Sequence, residues 1–274
     1  MNTLFFKIVL VFYLAGTSSY LLYLFKQRPR ISMAATITLS SGFVFHTISL
    51  ILRYFEAGYT PITNLYEAPS FLAWAIVGIY LFIQFKYKNK ITSLGSFISP
   101  VASILILVSS AFSEEIGPLS PVLRSFWLPI HVILAFLGDA IFALAFCAGV
   151  MYLIQEHQIK SKKIGSFYHR LPSLKLLDDI NHYSLTIGFL LLTMGMVTGS
   201  IWARHAWGAF WSWDAKQVWS LLTWVFYAAL LHGRINIGWR GRVAAIFAIV
   251  GFFAVMFSFL GVNTLLSGLH TYGR

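Results

Sequence analysis

The chain has 274 residues, of which 58% are hydrophobic and 11% charged, and its formal net charge is +11. A soluble domain carries about 25% charged residues, so no water-soluble core of this length hides so much apolar surface. The apolar residues fall in continuous runs near the ~20 residues that cross the hydrocarbon layer, which indicates an all-α polytopic membrane protein and excludes a closed β-barrel, whose strands alternate.

Eight spans are predicted near 4–25, 33–54, 69–85, 92–112, 127–154, 182–202, 215–232 and 243–262, in a single transmembrane domain over 1–274. The first run, Leu4 to Phe25, has no small-residue cleavage pattern after it and reads as a retained span, not a removed signal peptide. The second carries His46, an ionisable group inside the membrane, which either ligates a cofactor or hydrogen-bonds a neighbouring helix. Glu67, an unusual acidic residue of unassigned role, lies just before the third, and a short loop, Ser113 to Phe126, separates the fourth from the fifth. The fifth contains Asp139, expected to pair with an Arg or join a polar network, and Cys147, a lone thiol that acts as a small hydrophobe. The basic connection Gln155 to Asp179 is expected at the membrane surface, with His157, His169 and His182 in or beside it as solvated or capping residues.

The connections alternate in charge. Lys26, Arg28 and Arg30; Lys86, Lys88 and Lys90; Lys160, Lys162, Lys163, Arg170 and Lys175; and Arg234, Arg240 and Arg242 make up 14 of the 20 Lys and Arg. By the positive-inside rule these loops are cytoplasmic, and both termini and the loops near Tyr59, Glu114 and Trp207 face outward. This distribution accounts for the net charge without nucleic acid as a partner.

Between the sixth and seventh spans, an external segment at 203–219 lies in the stretch Trp202 to Trp224, WARHAWGAFWSWDAKQVWSLLTW, which holds six of the nine tryptophans. An interfacial aromatic belt explains one or two tryptophans per helix end, not this density with Gly208, Asp214 and Lys216 interleaved. If the segment is helical, Trp207 and Trp211 share a face and Trp213 forms a second wall. Flat indoles suit a flat aromatic ligand, Gly208 would let it approach the backbone, and Lys216 and Arg204 could pair with its anionic groups. A porphyrin with two propionates fits that description; a quinone fits the platform but not the cations.

This stretch resembles the WWD signature of the haem-handling membrane proteins of cytochrome c biogenesis, and within them the CcsA (ResC) family. The resemblance extends to YAALLHGR, the terminal GVNTLLSGLHTYG and the early PITNLYEAPSFLAW, nearly the whole chain. The chain departs from the family pattern at Ala215, usually Pro, and Gln217, usually Glu. Haem iron needs axial ligands, and neutral imidazole is the usual one. His131, at the outer end of the fifth span, and His270, past the outer end of the eighth, are level with the tryptophans and could ligate one iron from opposite faces. The resemblance points to the same two residues as external ligands. It also makes His232, which ends the seventh span and could otherwise simply snorkel, a ligand for haem within the membrane.

The resemblance therefore implies a System II assembly subunit. It would take up haem b as transported substrate near His232 and dock it on Trp207, Gly208, Trp211, Trp213 and Asp214 between His131 and His270. There it would attach the haem to the CxxCH thiols of an apocytochrome c. The implied partner is CcsB (ResB), in a haem lyase complex of a bacterial plasma (inner) membrane or a thylakoid membrane. A haem exporter or chaperone with no bond-forming role, a regulatory protein of the same superfamily, and a bis-His electron carrier working with quinone are the alternatives.

Overall fold

A computed structural model describes residues 1–162, 165 and 168–265, with the side chains of 88–90 excepted. All eight expected spans are helices long and apolar enough to cross a membrane. They are α1 (Asn2–Lys26), α2 (Pro29–Ala57), α3 (Glu67–Tyr87), α4 (Gly95–Ser110, entered through a 3-10 segment Lys88–Leu94), α5 (Trp127–Lys160), α6 (Leu174–Trp207), α7 (Ala215–His232) and α8 (Arg242–Met256). A π turn, Gly233–Ile237, extends α7; a second, Phe257–Gly261, joins α8 to the short α9 (Val262–Leu265).

Several boundaries differ from the sequence expectation. α5 and α6 have 34 residues each, about 50 Å at 1.5 Å per residue against a hydrocarbon layer of ~30 Å. Hydropathy ends where Glu156, Lys175 and Asp178 begin, but backbone hydrogen bonding continues past the apolar run. The connection expected over 155–179 therefore shrinks to 161–173, and His182 lies inside α6.

The helices form two groups. In the first, α1 packs on α2 and α4, and α3 packs on α4. In the second, α5 packs on α6 and α8, while α7 touches its neighbours lightly. The groups meet where α3 lies along α5, with Phe71 and Phe259 both against the Phe136 ring. Small residues set the closest approach: a Cβ at Gly138 would stand 3.3 Å from the Gly188 carbonyl. Membrane helices associate by this kind of backbone proximity, since lipid supplies no hydrophobic drive between them.

Polar contacts fasten the two ends. At one, Arg234 Nη2 donates to Asp178 Oδ2 at 2.7 Å, and the Gly241 amide donates to Asp178 Oδ1 at 2.9 Å, tying α6, α7 and α8 together. At the other, Arg53, 3% exposed, pairs with Glu67, 1% exposed, at 3.0 Å. Arg53 also donates to the Glu114 and Glu115 carbonyls at 2.6 and 3.3 Å. Glu67 accepts from the Thr63 amide and hydroxyl, and Asn64 Oδ1 accepts from the Tyr66 and Glu67 amides. The PITNLYE segment is thus a capped helix start clamped by a buried ion pair. Burial beneath the Arg53 guanidinium pushes the Tyr66 phenol above its ordinary range, the charge offsetting only part of the rise.

His46 is fully buried, and both ring nitrogens have partners: Tyr13 Oη at 3.0 Å and Ser70 Oγ at 2.9 Å. Of the two roles open to it from sequence, the geometry gives it the helix-bridging one, joining α1, α2 and α3.

Candidate functional site

The end that carries Arg53 also carries the tryptophan segment. α6 ends at Trp207, where Gly208 takes a left-handed conformation, φ 82°, and its amide donates to the Arg204 carbonyl at 3.0 Å. This is the usual way a helix stops at glycine. The segment is therefore not one helix: residues 208–214 form a loop, α7 begins at 215, and Trp207 and Trp211 do not share a helical face. No other part of the chain lies within 4 Å of a Cβ placed on Gly208, so within the chain it is the positive φ that calls for glycine there.

Asp214 opens α7 as its N-cap, with Oδ2 accepting from the Lys216 amide at 3.2 Å. Gln217 Oε1 accepts from the Ser212 amide and hydroxyl at 2.8 and 3.0 Å. It folds the loop back onto the helix it precedes, a contact that needs only a carbonyl-type oxygen and so tolerates Gln where the family pattern has Glu.

Within this frame the indoles pack edge to face. Trp202 and Trp207 have centroids 4.9 Å apart at 73°, and Trp211 and Trp213 5.7 Å apart at 87°. Trp213 is 72% exposed and sits at φ 55°, a left-handed position rare for a bulky side chain. A large apolar ring held outward on such a backbone is a candidate for contact with something outside the chain.

His131 lies in the second turn of α5, against α6. Its Nδ1 donates to the Gly195 carbonyl at 2.8 Å. A carbonyl only accepts, so the neutral ring carries its lone pair on Nε2. The imidazole lies parallel to Trp202, centroids 6.1 Å apart at 11°. Gly199 makes room for it: a methyl there would stand 2.7 Å from His131 Cε1 and Nδ1. Trp202 belongs to the tryptophan stretch but has no site role from sequence, and Gly195 and Gly199 were not singled out. The only signal was the spacing of two glycines four apart on α6, with Trp202 three residues further on.

Below His131, helices α5 to α8 and the π turn enclose a cavity of about 130 Å³. Asp139, Lys216, Gln217, Ser220, Thr223 and Ser258 are among its polar lining, and His131 and Trp211 line it too. Lys216, expected to meet a ligand's anionic groups, instead turns into this cavity and donates to Asn263 Oδ1 at 3.3 Å. Arg204 is exposed and lies over the Phe210 ring, 4.8 Å from its centroid.

His232 lies at the opposite end of α7, exposed, where Asn236 Nδ2 donates to its Nδ1 at 3.0 Å. The structure thus brings together His131, Trp207, Trp211, Trp213 and Asp214, and places His232 a helix length away. His270 lies outside the described residues. Among the described residues no cluster of three His, Cys, Asp or Glu could hold a bare metal ion.

A bundle of eight membrane helices with a tryptophan loop beside a half-buried imidazole defines the class of membrane-embedded cytochrome c assembly proteins. The profile of the Cytochrome C assembly protein family matches residues 62–270. The chain belongs to the CcsA family of cytochrome c biogenesis proteins. It is 35% identical to the cytochrome c biogenesis protein CcsA of Porphyra purpurea, over 89% of this chain and 89% of that one. It is also 35% identical to CcsA of Prochlorococcus marinus (strain NATL1A), over 88% and 85%. Among solved structures, the cytochrome c heme lyase CcmF superposes with a TM-score of 0.65 at 16% identity, covering 95% of this chain and 48% of that one. That likeness is one of fold.

Proposed function

We propose that this chain carries haem b as a substrate, holds it at the tryptophan loop with His131 as one axial ligand and His270 as the other, and presents it to an apocytochrome c. The observation that carries this reading is the His131 Nδ1 bond to the Gly195 carbonyl, which leaves the lone pair of the neutral ring on Nε2, in an imidazole that stacks on Trp202 and lines one cavity with Trp211. A cavity of about 130 Å³ is well below the ~300 Å³ at which pockets for larger ligands begin. The porphyrin therefore lies against the loop, with Trp207, Trp211 and Trp213 along it and Arg204 near a propionate. His232 takes haem up at the other face, so that face is cytoplasmic and both termini are external, in a bacterial plasma membrane or a thylakoid membrane.

Each thioether forms when a CxxCH thiol of the apocytochrome adds across a haem vinyl group: sulfur bonds to one vinyl carbon, and the thiol hydrogen goes to the other. The reaction needs no nucleophile from this chain, whose Cys147 is fully buried within α5. The chain contributes orientation and proximity, working with a CcsB (ResB) partner as part of a haem lyase. The carrier-only variant of this reading differs in one result. Purified complex given haem and an apocytochrome peptide would deliver haem without forming the bond.

The test is His131→Ala. Haem absorbance from the outer site and holocytochrome formation are both expected to be lost while the fold persists by circular dichroism. Undiminished haem content and maturation in that variant overturn the proposal.

A further inference from the structure

The loop that bears Trp211 and Trp213 hangs from the first turn of α7, yet α7 is the most lightly packed of the long helices in its half. Its inner half is held by Trp224, whose Nε1 donates to Thr193 Oγ1 at 2.9 Å, and Trp219 packs edge-on against Phe257. Neither contact fixes the first turn against α5, the helix that carries His131.

An acidic and a basic side chain inside the membrane line one cavity there. Asp139 lies eight residues beyond His131, so it shares that helix face about two turns deeper. Lys216 lies in the first turn of α7. Both line the cavity, and across it opposite charges attract in a medium of low dielectric. Among the described residues His131 is the other titratable group lining the cavity; α6 contributes glycines, Leu192, Met196 and Ser200, and α8 and its π turn contribute Val255, Ser258 and Phe259. A lone charge at this depth is costly, and an opposite charge across a small polar cavity offsets that cost. Lys216 also donates to Asn263 of α9, while its backbone amide caps on Asp214 and its neighbour Gln217 grips Ser212. One residue thus links the loop, α7 and α9, across the cavity from Asp139 of α5.

We propose that Asp139 and Lys216 form an intramembrane charge pair that docks the first turn of α7 onto α5 and so sets the spacing between the tryptophan loop and His131. Both act as positioning residues. The consequence for haem rests on the function proposed above; the docking itself does not.

The experiment uses the full chain in lipid nanodiscs with Cys147 replaced by Ala. Spin labels are placed at the exposed Phe126→Cys, before α5, and Phe210→Cys, in the loop. Without haem, the parent is expected to show one narrow label-to-label distance. Asp139→Asn and Lys216→Gln should each broaden and shift it, and the charge swap D139K/K216D should restore it. With haem, each single variant should bind about 10–100-fold more weakly, as when a group supporting a metal ligand is lost, and the swap should recover. An unchanged distance in either single variant, with or without weaker haem binding, overturns the proposal, as does a swap as displaced as the single variants. Should the single variants fail to fold, the swap decides: folded with a narrow distance supports the pair, and anything else refutes it. A parent with an ordered loop that never retains haem would sink the haem reading and leave the pair standing.

Discussion

The halves α1–α4 and α5–α9 both bury polar and ionisable groups in the membrane, but they treat them differently. In the first half, His46 bonds through both ring nitrogens, Arg53 meets Glu67, and Gln84 joins Tyr20 and Thr36. In the second, Asp139, Lys216 and several hydroxyls face a cavity, and His131 uses Nδ1 on a backbone carbonyl. A buried polar group that spends its bonds on neighbouring helices is a fastener. One that lines a cavity beside a cluster of aromatic rings is equipped to receive something. Two histidines equally conspicuous in the sequence are separated by where their nitrogens point.

Substitutions can break this contrast. The largest effect is expected at the Arg53–Glu67 pair, where Glu67→Ala leaves an uncompensated buried guanidinium and costs about 3–5 kcal/mol. Thermal unfolding in detergent should show it as a marked loss of stability or of folded yield. His46→Phe strands Tyr13 and Ser70 and should cost about 1–3 kcal/mol, with haem absorbance per folded molecule unchanged; a specific loss of haem there would erase the distinction between the halves. Gly199→Ala drives a methyl against the His131 ring, an overpacking of about 1–3 kcal/mol. Its signature should be a shifted haem spectrum and weaker haem retention. The smallest effect is at Trp213. Trp213→Gly relieves a left-handed backbone and is expected to raise stability by roughly 1 kcal/mol while lowering haem retention. A gain in both would remove Trp213 from the site.

The number and class of the helices were legible because bilayer thickness forces long apolar runs, and the tryptophan loop because six indoles in one stretch exceed what an interface needs. The ends of α5 and α6 were not legible, because hydropathy reports where the membrane stops and not where backbone hydrogen bonding stops. The break at Gly208 was readable in principle, since glycine after a Trp-rich helix end is a stop signal, but the helical spacing of Trp207 and Trp211 competed with it. The Gly195 carbonyl beside His131 and the cavity shared by Asp139 and Lys216 depend on which faces of α5, α6 and α7 turn inward. That is a tertiary outcome with no local signature. Glu67 resolved into the ion pair its burial demanded, with a partner fourteen residues upstream.

The π turn at Phe257–Gly261 amounts to one surplus residue wound into a helix. Deleting a residue there would let the turn relax to ordinary α winding and rotate α9 by about 100°, one residue's share of a 3.6-residue turn. Asn263 would swing off the Lys216 ammonium. The bearing of the chain beyond α8 is thus steered by an insertion in the backbone, a rudder that point substitutions at Asn263 or Lys216 would leave in place.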